Sequence, residues 1–151
     1  MKRLLLVGLL APVALSACSQ GPSGGSERVS VATASEAFCR PTPNGRQMTG
    51  CYLTLRTTGP DRLVSVSSPI AGRVEIHESK IESGMMMMTE LKAGLPLPAD
   101  QPVELKPGGN HIMLLGVSEP LTAGQTVPLT LRFEVANPIE VVAEVRQPTA
   151  E

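Results

Sequence analysis

A chain of 151 residues is long enough for one domain with a core of its own. Hydrophobic residues make up 42% of it, which excludes wholesale disorder. The 13 Lys and Arg nearly balance the 14 Asp and Glu, and no basic patch interleaved with aromatics occurs, which excludes a nucleic-acid surface.

The chain begins Met1-Lys2-Arg3, followed by an apolar run from Leu4 to Leu15. That run has signal-peptide length and is too short to cross a bilayer as a helix. Leu15-Ser16-Ala17-Cys18 resembles the bacterial lipobox, in which the cysteine is lipidated and becomes the new N-terminus. Residues 1–17 are therefore expected to be a lipoprotein signal peptide, with a lipid on Cys18; an ordinary signal peptide cut after Ala17 is the alternative. Removing them takes away Lys2 and Arg3, leaving 11 basic residues against 14 acidic ones and a net charge of −3. The Gly, Ser and Pro of residues 18–27 predict a flexible tether, with the domain at 28–148 and a short tail at 149–151.

From Ser30 onward the signal is β. Ser30 to Cys39 reads as a first strand and Arg40 to Gly45 as a turn-rich loop. Cys51, Leu53 and Leu55 alternate with Tyr52, Thr54 and Arg56, and Leu63 to Ser67 is a short strand after Gly59-Pro60-Asp61. Val74 and Ile76 alternate with Arg73, Glu75 and His77, so His77 belongs to the face opposite the apolar pair. Further strands are expected at Gly84 to Leu91 and Asn110 to Val117, with a turn at Pro107-Gly108-Gly109-Asn110. Val127 to Val135 and Ile139 to Val145 alternate around Ala136-Asn137-Pro138 and read as an antiparallel hairpin, with Pro128 at a strand start or an edge. Eight or nine short strands without an amphipathic helix predict an all-β sandwich. With Cys18 lipidated, Cys39 and Cys51 remain as an even pair in an exported chain, which predicts a disulfide; two free buried thiols are the alternative.

Both histidines, His77 and His111, and five of the seven methionines lie between His77 and Met113. Imidazole nitrogen and thioether sulfur suit a soft cation, above all Cu(I), whereas calcium or magnesium would want clustered carboxylates. In a strand His111 and Met113 share a face. Within Met85-Met86-Met87-Met88, parity puts Met86 and Met88 with Glu90 on an open side and Met85 and Met87 with Leu91 on the core side. Packing is the alternative use of all four, because methionine is a common gap-filler. No G-x-S-x-G, no H-E-x-x-H and no cysteine beside a histidine occurs, so an enzyme is not expected.

His77 precedes Met88 by 11 positions, and Met88 precedes His111 by 23, with Met113 two further on. This pattern resembles the periplasmic copper chaperones called PCuAC, whose motif is a His, about ten residues, a Met, twenty-odd residues and His-x-Met. Leu105-Lys106-Pro107-Gly108-Gly109-Asn110-His111-Ile112-Met113-Leu114, Gly84 to Met88, Leu97-Pro98-Ala99, Arg40 to Gly45 and Tyr52 to Leu55 extend the likeness over residues 30 to 148. Three departures stand out. Ser79 occupies a position where the family often has Met, the Cys39/Cys51 pair replaces apolar residues, and a lipobox is unusual. The resemblance implies a cupredoxin-like, immunoglobulin-like sandwich. It also implies a metal site of His77, Met88, His111 and Met113, with Met86 ancillary. The ion would be Cu(I), with Cu(II) a second candidate. The implied function is a monomeric metallochaperone on the periplasmic side of the envelope, lipid-anchored to a membrane. It would deliver copper to acceptors such as cytochrome oxidase subunits or their assembly factors. A membrane-tethered assembly or adhesion module without metal is the competing expectation.

Overall fold

The computed structural model describes residues 29–42 and 45–148. The expected leader, the lipidated Cys18, the tether and the tail at 149–151 lie outside the described residues. Ten strands occur among the described residues and no helix. They are β1 (Ala32–Cys39), β2 (Met48–Thr57), β3 (Asp61–Ser67), β4 (Ala71–Glu82), β5 (Met85–Glu90), β6 (Leu95–Leu97), β7 (Val103–Leu105), β8 (Asn110–Val117), β9 (Thr126–Phe133) and β10 (Ile139–Val145). The count exceeds the expected eight or nine because β6 and β7, three residues each, fall in the Leu/Pro-rich connection, where no alternation is long enough to register.

The strands follow one hydrogen-bonded path, β5-β4-β8-β2-β1-β10-β9-β3-β6, with β7 added on β2. The path folds back on itself: β3 packs against β4 and β2 against β6, enclosing one core. β1 joins the two halves, antiparallel to β2 and parallel to β10. Its register shifts between Ser35 and Phe38, where Glu36 adopts a φ of 55°. Such a bulge bends a strand and adds twist, which suits a strand shared by both layers.

The core is aliphatic, as the scarcity of aromatics requires. Leu53, Leu55, Leu63, Leu105, Ile112, Leu114, Leu129 and Leu131 are its largest fully buried side chains. Full burial of each contributes about 1.5–3 kcal/mol relative to exposure. The expected hairpin is present: Val127, Leu129, Leu131 and Phe133 point inward on β9, and Ala143 and Val145 on β10. Pro128 pairs only with Val142, because β3 has ended at Ser67, opposite Thr130, so the missing N–H falls at a local edge. Cys39 and Cys51 stand directly opposite each other on β1 and β2 and form a disulfide, both fully buried.

Candidate metal centre

Strand register assembles the site. β4 and β8 run antiparallel with His77 opposite His111, Glu75 opposite Met113 and Ile76 opposite Ile112. β5 returns along β4 with Met88 opposite Ser79 and Met86 opposite Ile81. On the far side of β8, β2 places Gly50 opposite Met113. Directly paired residues share a face, and residues two apart on one strand do so too. Glu75, His77, Ser79, Met86, Met88, His111 and Met113 therefore stand on the outer face of the sheet, with Met48 and Tyr52 beside them, while Ile76, Ile112 and Leu114 point into the core.

Two turns fix this register. Ser83 and Gly84 both have positive φ, 51° and 79°, as a two-residue type I′ hairpin requires between Glu82 and Met85. Lys106-Pro107-Gly108-Gly109 makes a turn closed by Gly109 N–H donating to the Lys106 carbonyl at 3.0 Å. Proline at its second position and Gly108 at φ 79° at its third are the residues a type II turn asks for. The turn aims the Gly109 carbonyl back at the site, where it accepts from the Ser79 N–H at 3.1 Å and from His111 Nδ1 at 3.0 Å.

Those contacts set the chemistry of the two imidazoles. A carbonyl only accepts, so His111 Nδ1 carries the hydrogen, and in the neutral ring Nε2 carries the lone pair. His77 is the converse: its Nε2 lies 2.8 Å from Glu75 Oε2, and Arg73 Nε holds Glu75 Oε1 at 2.7 Å. His77 Nδ1 is buried and has no hydrogen-bond partner among the described residues. A buried polar atom costs about 1–3 kcal/mol when neither a protein group, a water nor a ligand satisfies it. The ring centroids of His77 and His111 lie 5.7 Å apart in an edge-on arrangement, and Tyr52 lies 6.4 Å from His111.

An open cleft of about 500 Å³ lies over this face. Met86, Met88, His111 and Met113 line it, together with Ser79, Tyr52 and Met48; Arg40 and Arg46 form part of its wall. His77 stands behind the lining, against His111. The structure thus brings all five expected site residues to one face, four of them onto the cleft. Met85 and Met87 do share the opposite side, as parity predicts, but they do not pack in the core. They are 65% and 48% exposed, and Met86 and Met88 are 57% and 54% exposed. The reason is that β5 is the outermost strand and its hairpin reaches past the core's edge; only Leu91, after the strand, packs against the core. Glu75, Gly109 and Met48 were not anticipated as parts of the site. Glu75 was legible, since it lies two positions before His77 on the same strand. Met48 was not, because only the pairing of β2 with β8 brings it near.

Among the described residues no three His, Cys, Asp or Glu side chains gather into a metal-holding group. The cleft itself is lined by imidazole nitrogen from His111 and thioether sulfur from Met48, Met86, Met88 and Met113, a donor set that suits a soft cation.

The match to a family model spans residues 32–145, for the family described as "Putative lipoprotein LpqE-like". Among curated proteins the chain is 34% identical over 145 residues to "Putative lipoprotein Lxx21020" of Leifsonia xyli subsp. xyli (strain CTCB07), covering 94% of this chain and 84% of that one. Among solved structures it resembles the copper-bound PCuAC domain from PmoF2, with a TM-score of 0.64, 24% identity, and coverage of 78% of this chain and 93% of that one. It also resembles CuI-DR1885 from Deinococcus radiodurans, with a TM-score of 0.56, 28% identity, and coverage of 82% and 83%. The fold is the cupredoxin-like one of PCuAC domains, as the sequence motif implied.

Proposed function

We propose a copper-carrier function, from the premise that this chain belongs to the LpqE-like lipoprotein family. The observation that carries the proposal is the shared outer face of β4, β5 and β8. It holds two imidazoles, each with one ring nitrogen hydrogen-bonded within the protein and the other not, and the thioethers of Met86, Met88 and Met113. Such neutral donors suit Cu(I) and leave the bound ion a monocation. The likeness to CuI-DR1885 supports the same ion. His77, Met88, His111 and Met113 are the proposed ligands, with Met86 ancillary.

The copper is cargo. The cleft is open, with Met48, Met86 and Met88 exposed and Met113 half-buried, so an acceptor can approach the ion without the core unfolding. A blue-copper electron carrier would need a thiolate beside its histidines, and both described cysteines are joined in the disulfide. The protein is read as a carrier rather than an enzyme, tethered through lipid on Cys18 to the periplasmic side of the envelope. Its acceptors are copper proteins of that compartment, cytochrome oxidase or its assembly factors among them.

Competition between the apo protein and a chromogenic Cu(I) chelator tests the reading. Tight one-to-one binding is expected in the unmodified chain. Met88→Leu should weaken it at least about tenfold, or about 1.4 kcal/mol. Met87→Leu, on the opposite side of the same strand, should leave it nearly unchanged. Equal affinities for the two variants would remove Met88 from the site.

A further inference from the structure

Glu75 is a carboxylate on the metal face, yet it is turned away from coordination. Its side chain is 13% exposed and held from two sides, by Arg73 through Oε1 and by His77 Nε2 through Oε2. Arg73, itself 70% exposed, pins the carboxylate from the solvent side. We propose that Glu75 is a positioning residue: it holds His77 in the tautomer with hydrogen on Nε2, so that Nδ1 is the atom offered to the metal. The inference rests on the copper-carrier reading for its purpose, while its geometry stands in the protein without metal.

A carboxylate accepts hydrogen bonds and cannot donate one when ionised, so the nitrogen facing Glu75 must carry the hydrogen. In a neutral imidazole the lone pair then falls on Nδ1, the atom found buried and unpartnered. Glu75 lies two residues before His77 on β4 and opposite Met113 on β8, so the strands that present the ligands also fix the residue that orients one of them. His111 reaches the same end by another route, with the Gly109 carbonyl on Nδ1 and Nε2 left open. The two histidines therefore offer different ring nitrogens. A carboxylate behind a ligating histidine also raises the donor strength of its other nitrogen. With Arg73 holding Oε1, the carboxylate does this without entering the coordination sphere as a hard competitor.

The test is long-range proton–nitrogen NMR on the mature chain with ¹⁵N-labelled histidine, before and after anaerobic addition of Cu(I), which is diamagnetic. Only two histidines are present, so their signals are separable. In the apo protein His77 should show a protonated Nε2 and a bare Nδ1; with Cu(I), the Nδ1 signal should move while Nε2 keeps its hydrogen. Glu75→Leu should release His77 into a mixture of tautomers and weaken Cu(I) binding by about 10–100-fold. His111, held by Gly109, should keep its tautomer in the variant, which separates loss of the Glu75 contact from general damage. An unchanged His77 tautomer in Glu75→Leu overturns the inference, as does loss of the Nε2 hydrogen in the copper form. Should the unmodified chain bind no Cu(I), the carrier function fails, and the apo spectra of the two proteins still decide the role of Glu75.

Discussion

Removing the Cys39–Cys51 bridge tests how much the cross-link between β1 and β2 stabilises the fold. The bridge joins β1 to β2 over a sequence separation of 12, and both side chains are fully buried. The chain-entropy relation for a loop of that size gives about 3 kcal/mol of stabilisation. For a domain of about 120 residues, an unfolding entropy near 2.1 cal/mol/K per residue converts this to a drop in Tm of about 12 °C. The assay is thermal unfolding followed by circular dichroism, on the oxidised protein, the same protein with reductant, and Cys39→Ala/Cys51→Ala. Reduction isolates the cross-link, while the double variant adds the loss of two packed sulfur atoms, so the variant should melt lowest. A reduced protein melting within about 2 °C of the oxidised one would refute the reasoning, since no cross-link term of this size would then exist.

Three further outcomes are expected. Asp61 accepts from the N–H groups of Arg62, Val135 and Ala136 at 2.7, 2.9 and 2.8 Å, tying β3 to the turn between β9 and β10. Burial pushes its carboxyl up, but these bonds and the Ser30 hydroxyl outweigh burial and hold it below the usual carboxylate range. Its stabilisation is therefore present above the unfolded value of about 3.9 and lost as pH falls through the lower folded value. Asp61→Asn should cost about 1–3 kcal/mol at neutral pH in denaturant titrations, a gap that closes in acid; a pH-independent gap would contradict this. A Cβ on Gly50 would lie 2.8 Å from Tyr52 Oη. Gly50→Ala should shift the near-ultraviolet signal of this sole tyrosine in a chain without tryptophan, and an unchanged spectrum would show that Tyr52 does not lie over Gly50. Cys18→Ser should abolish labelling by a palmitate analogue and release the protein from membranes; unchanged labelling would end the lipoprotein reading.

Much of the fold was legible because period-two alternation survives wherever one face is buried. Val127 to Val145 shows this most clearly, since each inward residue there is apolar and the outward neighbours on the two strands are polar or Pro, the exposed Val142 excepted. Where the period breaks, legibility ends: Leu95–Leu97 and Val103–Leu105 are too short, and prolines beside them hide the signal. The site divides in the same way. Parity sorted the methionine run into its two sides, because adjacent side chains of a strand must oppose each other. It did not give burial, because parity says nothing of how far the core extends beneath an edge strand. Glu75 was placed on the His77 face by the same parity, but that its two oxygens are taken by His77 and Arg73 shows only in the side-chain contacts along β4.

The most direct test of the copper site is X-ray absorption at the copper edge of the Cu(I)-loaded chain, beside Met88→Leu and Met113→Leu. Imidazole nitrogen and thioether sulfur should both appear around the ion, and each variant should lose sulfur scattering while the nitrogen contribution persists. A copper ion surrounded by nitrogen and oxygen alone, unchanged in both variants, would contradict the site.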